Sequence, residues 1–353
     1  MNGTMADSYM MLQQSSHAAH SFVLGSFVAA GTFRVARLPL PGESLLASAF
    51  AWEPGGKGFN LAAGLSRLGI AVDGLIPIGT DHLAALAEPA LLRAGLSPSM
   101  IRQFPGSTGI GVGFVGADGE NCLAVHPGAN LMLSPDAVRA AEASIAASSL
   151  VLAQCEIGDS AIAEAFAIAR KAGIPTLLTL SPFRMPPPDV LAATTILVAN
   201  ETEAASLHDG LFPGREPRGS PAEVVSLAGA LRTRGVEILV VTSGAAGARI
   251  VANGSELVAR PGYAVEAVDT IGAGDAFTAG LAAGLLAGQP WDACCRMACA
   301  CGAMMVMGRG VLDNLPDPAE VAEFLRTRPD DAEGMTGPRP APSPARTRPD
   351  PWP

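Results

Sequence analysis

Three observations assign the chain to the α/β class, with a mostly parallel sheet covered by helices and a small antiparallel flap. From about residue 22, short apolar runs alternate with longer amphipathic or alanine-rich segments, the sign of a βα repeat. Hydrophobic residues make up 49 % of the 353 residues, with 40 glycines and only 16 % charged residues, the profile of tight packing with many turns. Two segments interrupt the alternation, and one carries a hairpin signature.

Taken in order, SFVLGSF (21–27), GLIPIGT (74–80), LVLAQC (150–155), TLLTL (176–180), TILVAN (195–200) and ILVVTSG (238–244) read as buried strands. Between them FNLAAGLSRLG (59–69), HLAALAEPALLRAG (82–95), SAIAEAFAIARKAG (160–173) and AEVVSLAGALRTRG (222–235) place apolar residues three and four apart and end at glycine, as helices do. The interruptions are ESLLASAFAWE (43–53) and TGIGVGFVGADGENCLAVH (108–126), whose ADGE centre separates two period-2 runs. They predict a flap, or lid, over about 34–54 and 106–127, inserted into a body spanning 21–328. Residues 1–20 have no basic or apolar signal region and read as a disordered leader. The proline-rich stretch 329–353 reads as a disordered tail.

The formal charge of −10 argues against binding a nucleic-acid backbone, which requires a basic face. The apolar run SFVLGSFVAAGTF is too short to span a bilayer, so the chain is expected to be cytoplasmic, with no membrane partner. Four of six cysteines fall in CCRMACAC (Cys294, Cys295, Cys299, Cys301). Their spacing is not that of paired C-x-x-C knuckles, and packing as small apolar residues is expected instead.

Two glycine clusters carry the chemistry. EPGGKGFNLAAGLSRLG (53–69) is neither a phosphate loop with Ser or Thr after lysine nor a dinucleotide fingerprint. Its glycines allow close backbone approach to a ligand, and Lys57 and Asn60 add polar groups suited to hydroxyls or phosphate; an ordinary glycine-rich turn is the alternative. In DTIGAGDAFTAG (269–280), Gly272, Ala273 and Gly274 can turn successive N–H groups toward one anion at a helix start. Asp275 is then a capping acid or a base aimed at an attacking hydroxyl. The two clusters together favour the base.

These paired signatures, PGGKGFNLAAGLSRLG and DTIGAGDAFTAG, resemble those of the PfkB sugar kinases, ribokinase-like members in particular. Residues 22 to 326 share the resemblance, including PGE (41–43), HPGAN (126–130), QCE (154–156), NETEA (200–204) and TSGAAG (242–247). It implies a ribokinase-like three-layer α/β/α sandwich with a β-sheet lid, ATP as phosphoryl donor, magnesium and potassium, and a homodimer formed through the lid. By position it implies Asp275 as catalytic base, with Gly272, Ala273 and Gly274 as the anion hole. Gly56, Lys57, Asn60 and Glu156 would face the sugar. Asn200, Thr242, Ser243, Gly244 and Gly247 would line the nucleotide, with Glu203 near magnesium through water. Asp269, Ile271, Gly310 and Asn314 fall where such kinases hold a monovalent cation, although Asn314 stands where a serine is expected.

One departure bears on substrate. Where the resemblance calls for a GSxNxD stretch closing the first strand, with Asn and Asp gripping sugar hydroxyls, this chain has GSFVAAG, with Val28 and Ala30 in those places. Ribose hydroxyls would lose partners there at a cost of about 1–3 kcal/mol each. The expectation is an ATP-dependent kinase acting on an alcohol of another sugar or sugar-like molecule. A nucleoside kinase of the same fold, its base packed on Val28 and Ala30, and a catalytically idle metabolite sensor are the alternatives. A dinucleotide dehydrogenase is disfavoured because no G-x-G-x-x-G follows the first strand.

Overall fold

The computed structural model describes residues 20–117, 121–214 and 221–328. The expected leader up to residue 19, the tail from residue 329, and Asp118, Gly119 and Glu120 of the expected hairpin turn lie outside the described residues.

The strands in chain order are β1 (His20–Leu24), β2 (Val28–Arg34), β3 (Ala49–Gly55), β4 (Ala71–Ile78), β5 (Ile101–Gln103), β6 (Gly109–Val115) and β7 (Asn121–His126). They continue with β8 (Leu150–Gln154), β9 (Thr176–Thr179), β10 (Ile196–Asn200), β11 (Ile238–Thr242), β12 (Ala248–Ala252) and β13 (Ser255–Arg260). Nine form one sheet in the order β13-β12-β11-β10-β9-β8-β1-β4-β5. Every pairing from β11 to β5 is parallel, and β12 and β13 close one side as an antiparallel pair.

Side chains alternate across a strand, and helices cover both faces of this sheet, so the central strands carry continuous apolar runs rather than alternating ones. On β1, Phe22 and Leu24 enter one core while Val23 enters the other; on β8, Val151 and Ala153 oppose Leu150 and Leu152. The helices Asp159–Lys171, Glu201–Leu211 and Pro221–Arg232 cover the first face. Lys57–Arg67, Ala273–Leu286 and Trp291–Met305 cover the second.

The cysteine-rich helix is a packing device. A Cβ on Gly280 would stand 2.8 Å from the Cys301 sulfur, and one on Gly284 would stand 3.1 Å from that of Cys294, so these cysteines fill the grooves that the glycines leave. Burial pushes the Cys294 and Cys301 thiols up to about 12, which keeps them protonated. Among the described residues no helix is long and apolar enough to cross a membrane.

The lid is a separate four-stranded sheet in the order β3-β2-β6-β7. It corrects the reading of the first strand. The run SFVLGSFVAAGTF is two strands, because β1 ends at Leu24 and the chain leaves the main sheet at Gly25–Phe27 to open the lid as β2. Val28 and Ala30 therefore begin a lid strand and do not close β1. The crossing point is fixed by close approach. A Cβ on Gly58, in the first turn of the Lys57–Arg67 helix, would lie 2.1 Å from Gly25 Cα and Ser26 N, so only glycine lets that helix dock there.

Candidate active site

Polar residues gather where parallel strands end. Ser26 follows β1, Glu156 follows β8, Asn200 ends β10, and Thr242 ends β11 directly beside Asn200 in register. In open α/β sheets the carboxyl ends of strands are where ligands bind.

Asp275 is 4 % exposed in the first turn of the Ala273–Leu286 helix. Gly272 precedes this helix at φ 80°, with Val311 packed 3.0 Å from where its Cβ would be, so the turn needs glycine. On Gly274 a Cβ would meet open space, leaving a free approach to that turn. The Asp275 carboxylate accepts a hydrogen bond from Asn60 Nδ2 at 2.7 Å on Oδ2, while Lys57 Nζ stands 3.8 Å from Oδ1. Asn60 Oδ1 is buried without a hydrogen-bond partner among the described residues, an acceptor that their atoms do not satisfy.

Glu156 binds the two halves of the cleft together. Its Oε2 accepts from Ser26 Oγ at 2.5 Å and from the backbone N–H of Lys57 at 2.8 Å, and Ser26 Oγ in turn accepts from Gly58 N at 3.0 Å. The Lys57 ammonium is held above the usual lysine range, chiefly by Asp275, against burial, with Glu156 and Glu203 adding to it. Burial raises the Glu156 carboxyl above its ordinary value in spite of its donors. Asp275, Lys57, Asn60, Glu156 and Glu203 thus share one electrostatic neighbourhood.

NETE folds as a capping box. The Asn200 side chain accepts from Glu203 N at 2.8 Å, and Glu203 Oε2 accepts from Asn200 N at 2.8 Å. Glu203 is 8 % exposed, and its other oxygen has no protein partner among the described residues. The TSGAAG turn is tight: Ser243 N donates to Gly247 O at 2.8 Å, Gly244 and Gly247 have φ 51° and 95°, and a Cβ on Gly247 would strike Arg260 O.

The proposed cation residues lie along one loop pair. Val268 N and Asp269 N donate to Val306 O, Asp269 Oδ1 accepts from Ile271 N at 3.0 Å, and Asn314 Nδ2 donates to the carbonyls of Arg309 and Gly310, the latter at 2.8 Å. Two residues of the cleft carry weight that motif reading did not give them. Ser26 is the hydroxyl between Glu156 and the helix start. Asn130, in HPGAN, exchanges two 2.9 Å hydrogen bonds with the backbone of Phe27 and so pins the β1–β2 crossing.

Comparison with known proteins identifies the family and the fold. Residues 19–318 match the pfkB family of carbohydrate kinases. The ribokinase of Haemophilus influenzae is 32 % identical over 304 residues, covering 86 % of this chain and 97 % of that one. The deoxyribokinase of Salmonella typhi is 30 % identical over 291 residues, covering 82 % and 93 %. Among solved structures, Arabidopsis thaliana ribokinase complexed with ribose and ATP superposes with a TM-score of 0.79 at 28 % identity, covering 88 % of this chain and 99 % of that one.

Proposed function

The chain belongs to the pfkB family of carbohydrate kinases and is an ATP-dependent sugar kinase, and from that premise we propose that Asp275 is its catalytic base. The supporting observation is a buried carboxylate in the first turn of a helix, one oxygen fixed by Asn60 and the other only loosely approached by Lys57. A sugar hydroxyl placed at Oδ1 gives its proton to Asp275 as its oxygen bonds to the γ-phosphorus of ATP, the bond to the β-phosphate oxygen breaks, and ADP leaves. Charge on the transferred phosphoryl group falls at the turn Gly272, Ala273 and Gly274, at the positive end of the helix. Lys57 and Asn60 orient the sugar, beside Gly56 and with Glu156 holding the cleft in place. Asn200, Thr242, Ser243, Gly244 and Gly247 border the nucleotide.

Glu203 suits a magnesium site, because its carboxylate keeps one oxygen free beside the strand ends. The ion would supply neutralising charge to the triphosphate, held through water. The potassium set does not fit as it stands. Asn314 turns donor hydrogens, not an oxygen, to the Gly310 carbonyl. The expectation of a potassium site at Asp269, Ile271, Gly310 and Asn314 is revised for this reason.

Val28 is 5 % exposed at the start of β2 and, with Ala30, gives the cleft an apolar edge, which supports a substrate other than ribose. The same edge favours a nucleoside as the second reading. The outer lid face stacks Phe33 on Phe50 at 4.5 Å and on Phe114 at 5.6 Å, with Phe50 and Trp52 partly exposed, and supports a homodimer through the lid. A cytoplasmic enzyme without nucleic-acid or membrane partners accords with its ATP use and net charge of −10. Measuring ADP release against pentoses, hexoses, amino sugars and nucleosides tests the assignment. Turnover of nucleosides alone would replace it with the second reading.

A further inference from the structure

One charged group of the lid takes no part in the chemistry above. Residues directly opposite in an antiparallel pair project to the same face, and successive residues alternate. Ala30 is opposite Glu53 and Val28 is opposite Gly55, so these share a face. Phe33 is opposite Phe50, and Gly31 is covered by Phe50 and Trp52, so the aromatics occupy the other, outward face. The Glu53 face looks inward. Its Oε1 lies 3.4 Å from where a Cβ of Gly310 would be, and Gly310 belongs to the loop whose Val311 packs against Gly272 of the proposed anion turn. Two residues after Glu53 the chain enters Gly55 and Gly56 and then the helix that carries Lys57 and Asn60.

Glu53 thus reaches between lid and body, half-buried, and forms no hydrogen bond or ion pair with a described residue. Burial, followed by the charges of Asp269 and Asp313, raises its carboxyl above the ordinary value, with Arg93 and Arg34 offsetting this in part. A carboxylate placed this way weakens the protein unless a donor arrives from outside it. Val28 and Ala30 give this lid face no hydrogen-bonding side chain, and the register sets a carboxylate one strand over.

We infer that Glu53 is the specificity residue of the lid, accepting hydrogen bonds from sugar hydroxyls at the edge of the cleft where Val28 and Ala30 offer none. This rests on the reading of the Lys57–Asp275 cleft as the sugar site. Substrate class follows: a sugar with hydroxyls toward β3 and a less polar edge toward Val28.

The test uses the full chain with ATP and four probes, D-ribose, 2-deoxy-D-ribose, D-fructose and D-glucosamine. For the best of these, Glu53→Ala should raise KM between about ten-fold and about a hundred-fold, the range for losing a hydrogen bond to a charged acceptor, with kcat within about three-fold and KM for ATP unchanged. Glu53→Gln should fall between. Opposed Cβ atoms are only about 5 Å apart, so the double variant Glu53→Ala, Ala30→Asp should recover most of the lost affinity. A sugar KM within two-fold of the parent in Glu53→Ala, or a loss in kcat alone, overturns the inference while leaving the kinase reading intact. Loss confined to glucosamine overturns the hydroxyl assignment in favour of an ammonium group. If the parent turns over none of the four, while Asp275→Asn abolishes turnover of a nucleoside, the sugar-site reading falls and Glu53 with it. Melting temperatures close to the parent's establish that each variant is folded.

Discussion

Replacing Asp275 by Asn changes few atoms and removes one charge at the point where the proposed mechanism delivers the proton. The Asn60 contact survives, because the new side-chain carbonyl can accept from Asn60 Nδ2 as Oδ2 does now at 2.7 Å. The amide nitrogen then faces Lys57, whose ammonium is 3.8 Å from Oδ1 and owes its raised pKa chiefly to Asp275. Lys57 keeps Glu156 and Glu203 nearby and is 30 % exposed at its side chain, so loss of the pair should cost stability on the order of 1 kcal/mol, discounted for solvent screening. Catalysis should suffer far more. A positioned base contributes about 10²–10⁴ in rate, or roughly 3–5 kcal/mol of barrier. Steady-state ADP release should therefore show kcat down at least about 100-fold, while calorimetry shows ATP affinity little changed, since other residues are proposed to border the nucleotide. A variant within a few-fold of the parent in kcat would remove Asp275 from proton transfer.

Exchange of sodium for potassium at constant ionic strength should leave the rate within about two-fold, since Asn314 donates to the Gly310 carbonyl where an ion would need oxygen; several-fold stimulation by potassium would show that this amide turns over to admit the ion. The best natural sugar should exceed ribose by at least about 100-fold in kcat/KM, the scale of two unpaired hydroxyls, and Val28→Asn with Ala30→Asp should shrink that ratio; equal use of ribose by the parent would refute it. Gly58→Ala forces a Cβ to 2.1 Å from backbone atoms of Gly25 and Ser26 and should lower unfolding free energy in urea by about 3 kcal/mol or more; parent-like stability would mean that the helix start can shift. The folded Glu156 carboxyl lies above its ordinary value, so the native state binds the proton more tightly, and its contribution is present below the unfolded pKa and lost as pH rises through the folded one. Glu156→Gln lacks that loss, so its melting temperature relative to the parent should be more favourable at neutral pH than near pH 4; a constant difference would contradict the burial effect.

The parallel core was legible because buried strands such as Leu150–Gln154 open on an unbroken apolar run, Leu150 to Ala153, and the helices between them repeat every three to four residues. The β12–β13 hairpin was missed although its signal is strong. Asn253 and Gly254 both have positive φ, 53° and 73°, the two-residue turn that Asn-Gly favours. Likewise Asp317, Pro318 and Glu320 spell the start of the last helix as a capping box. The break inside SFVLGSFVAAGTF was harder to see, because both pieces are apolar and only the Gly58 contact and Asn130, distant in sequence, show where the chain leaves the sheet. Register across the lid was beyond reach for the same reason. That Glu53 opposes Ala30 depends on a pairing, not on a motif.

Three carboxylates surround Lys57, and their hydrogen bonds separate their roles. Glu156 receives the Ser26 hydroxyl and the Lys57 backbone N–H on a single oxygen, linking the end of β1 to the helix that supplies Lys57 and Asn60, and burial disfavours its charge. Glu203 spends one oxygen closing the capping box that begins the Glu201–Leu211 helix, which sets it beside the strand ends. Asp275 differs from both. It alone follows Gly272, Ala273 and Gly274, where transferred charge can be met by helix N–H groups, and its Oδ1 has only a cation 3.8 Å away, too long for a hydrogen bond. In the proposed mechanism a hydroxyl enters that gap, bonds to Oδ1, and stands within reach of a phosphoryl group held at the turn. The proposed base and anion site are thus set by one short motif, whereas the group inferred to read the sugar's remaining hydroxyls is carried by a lid strand whose residues can change without touching that motif.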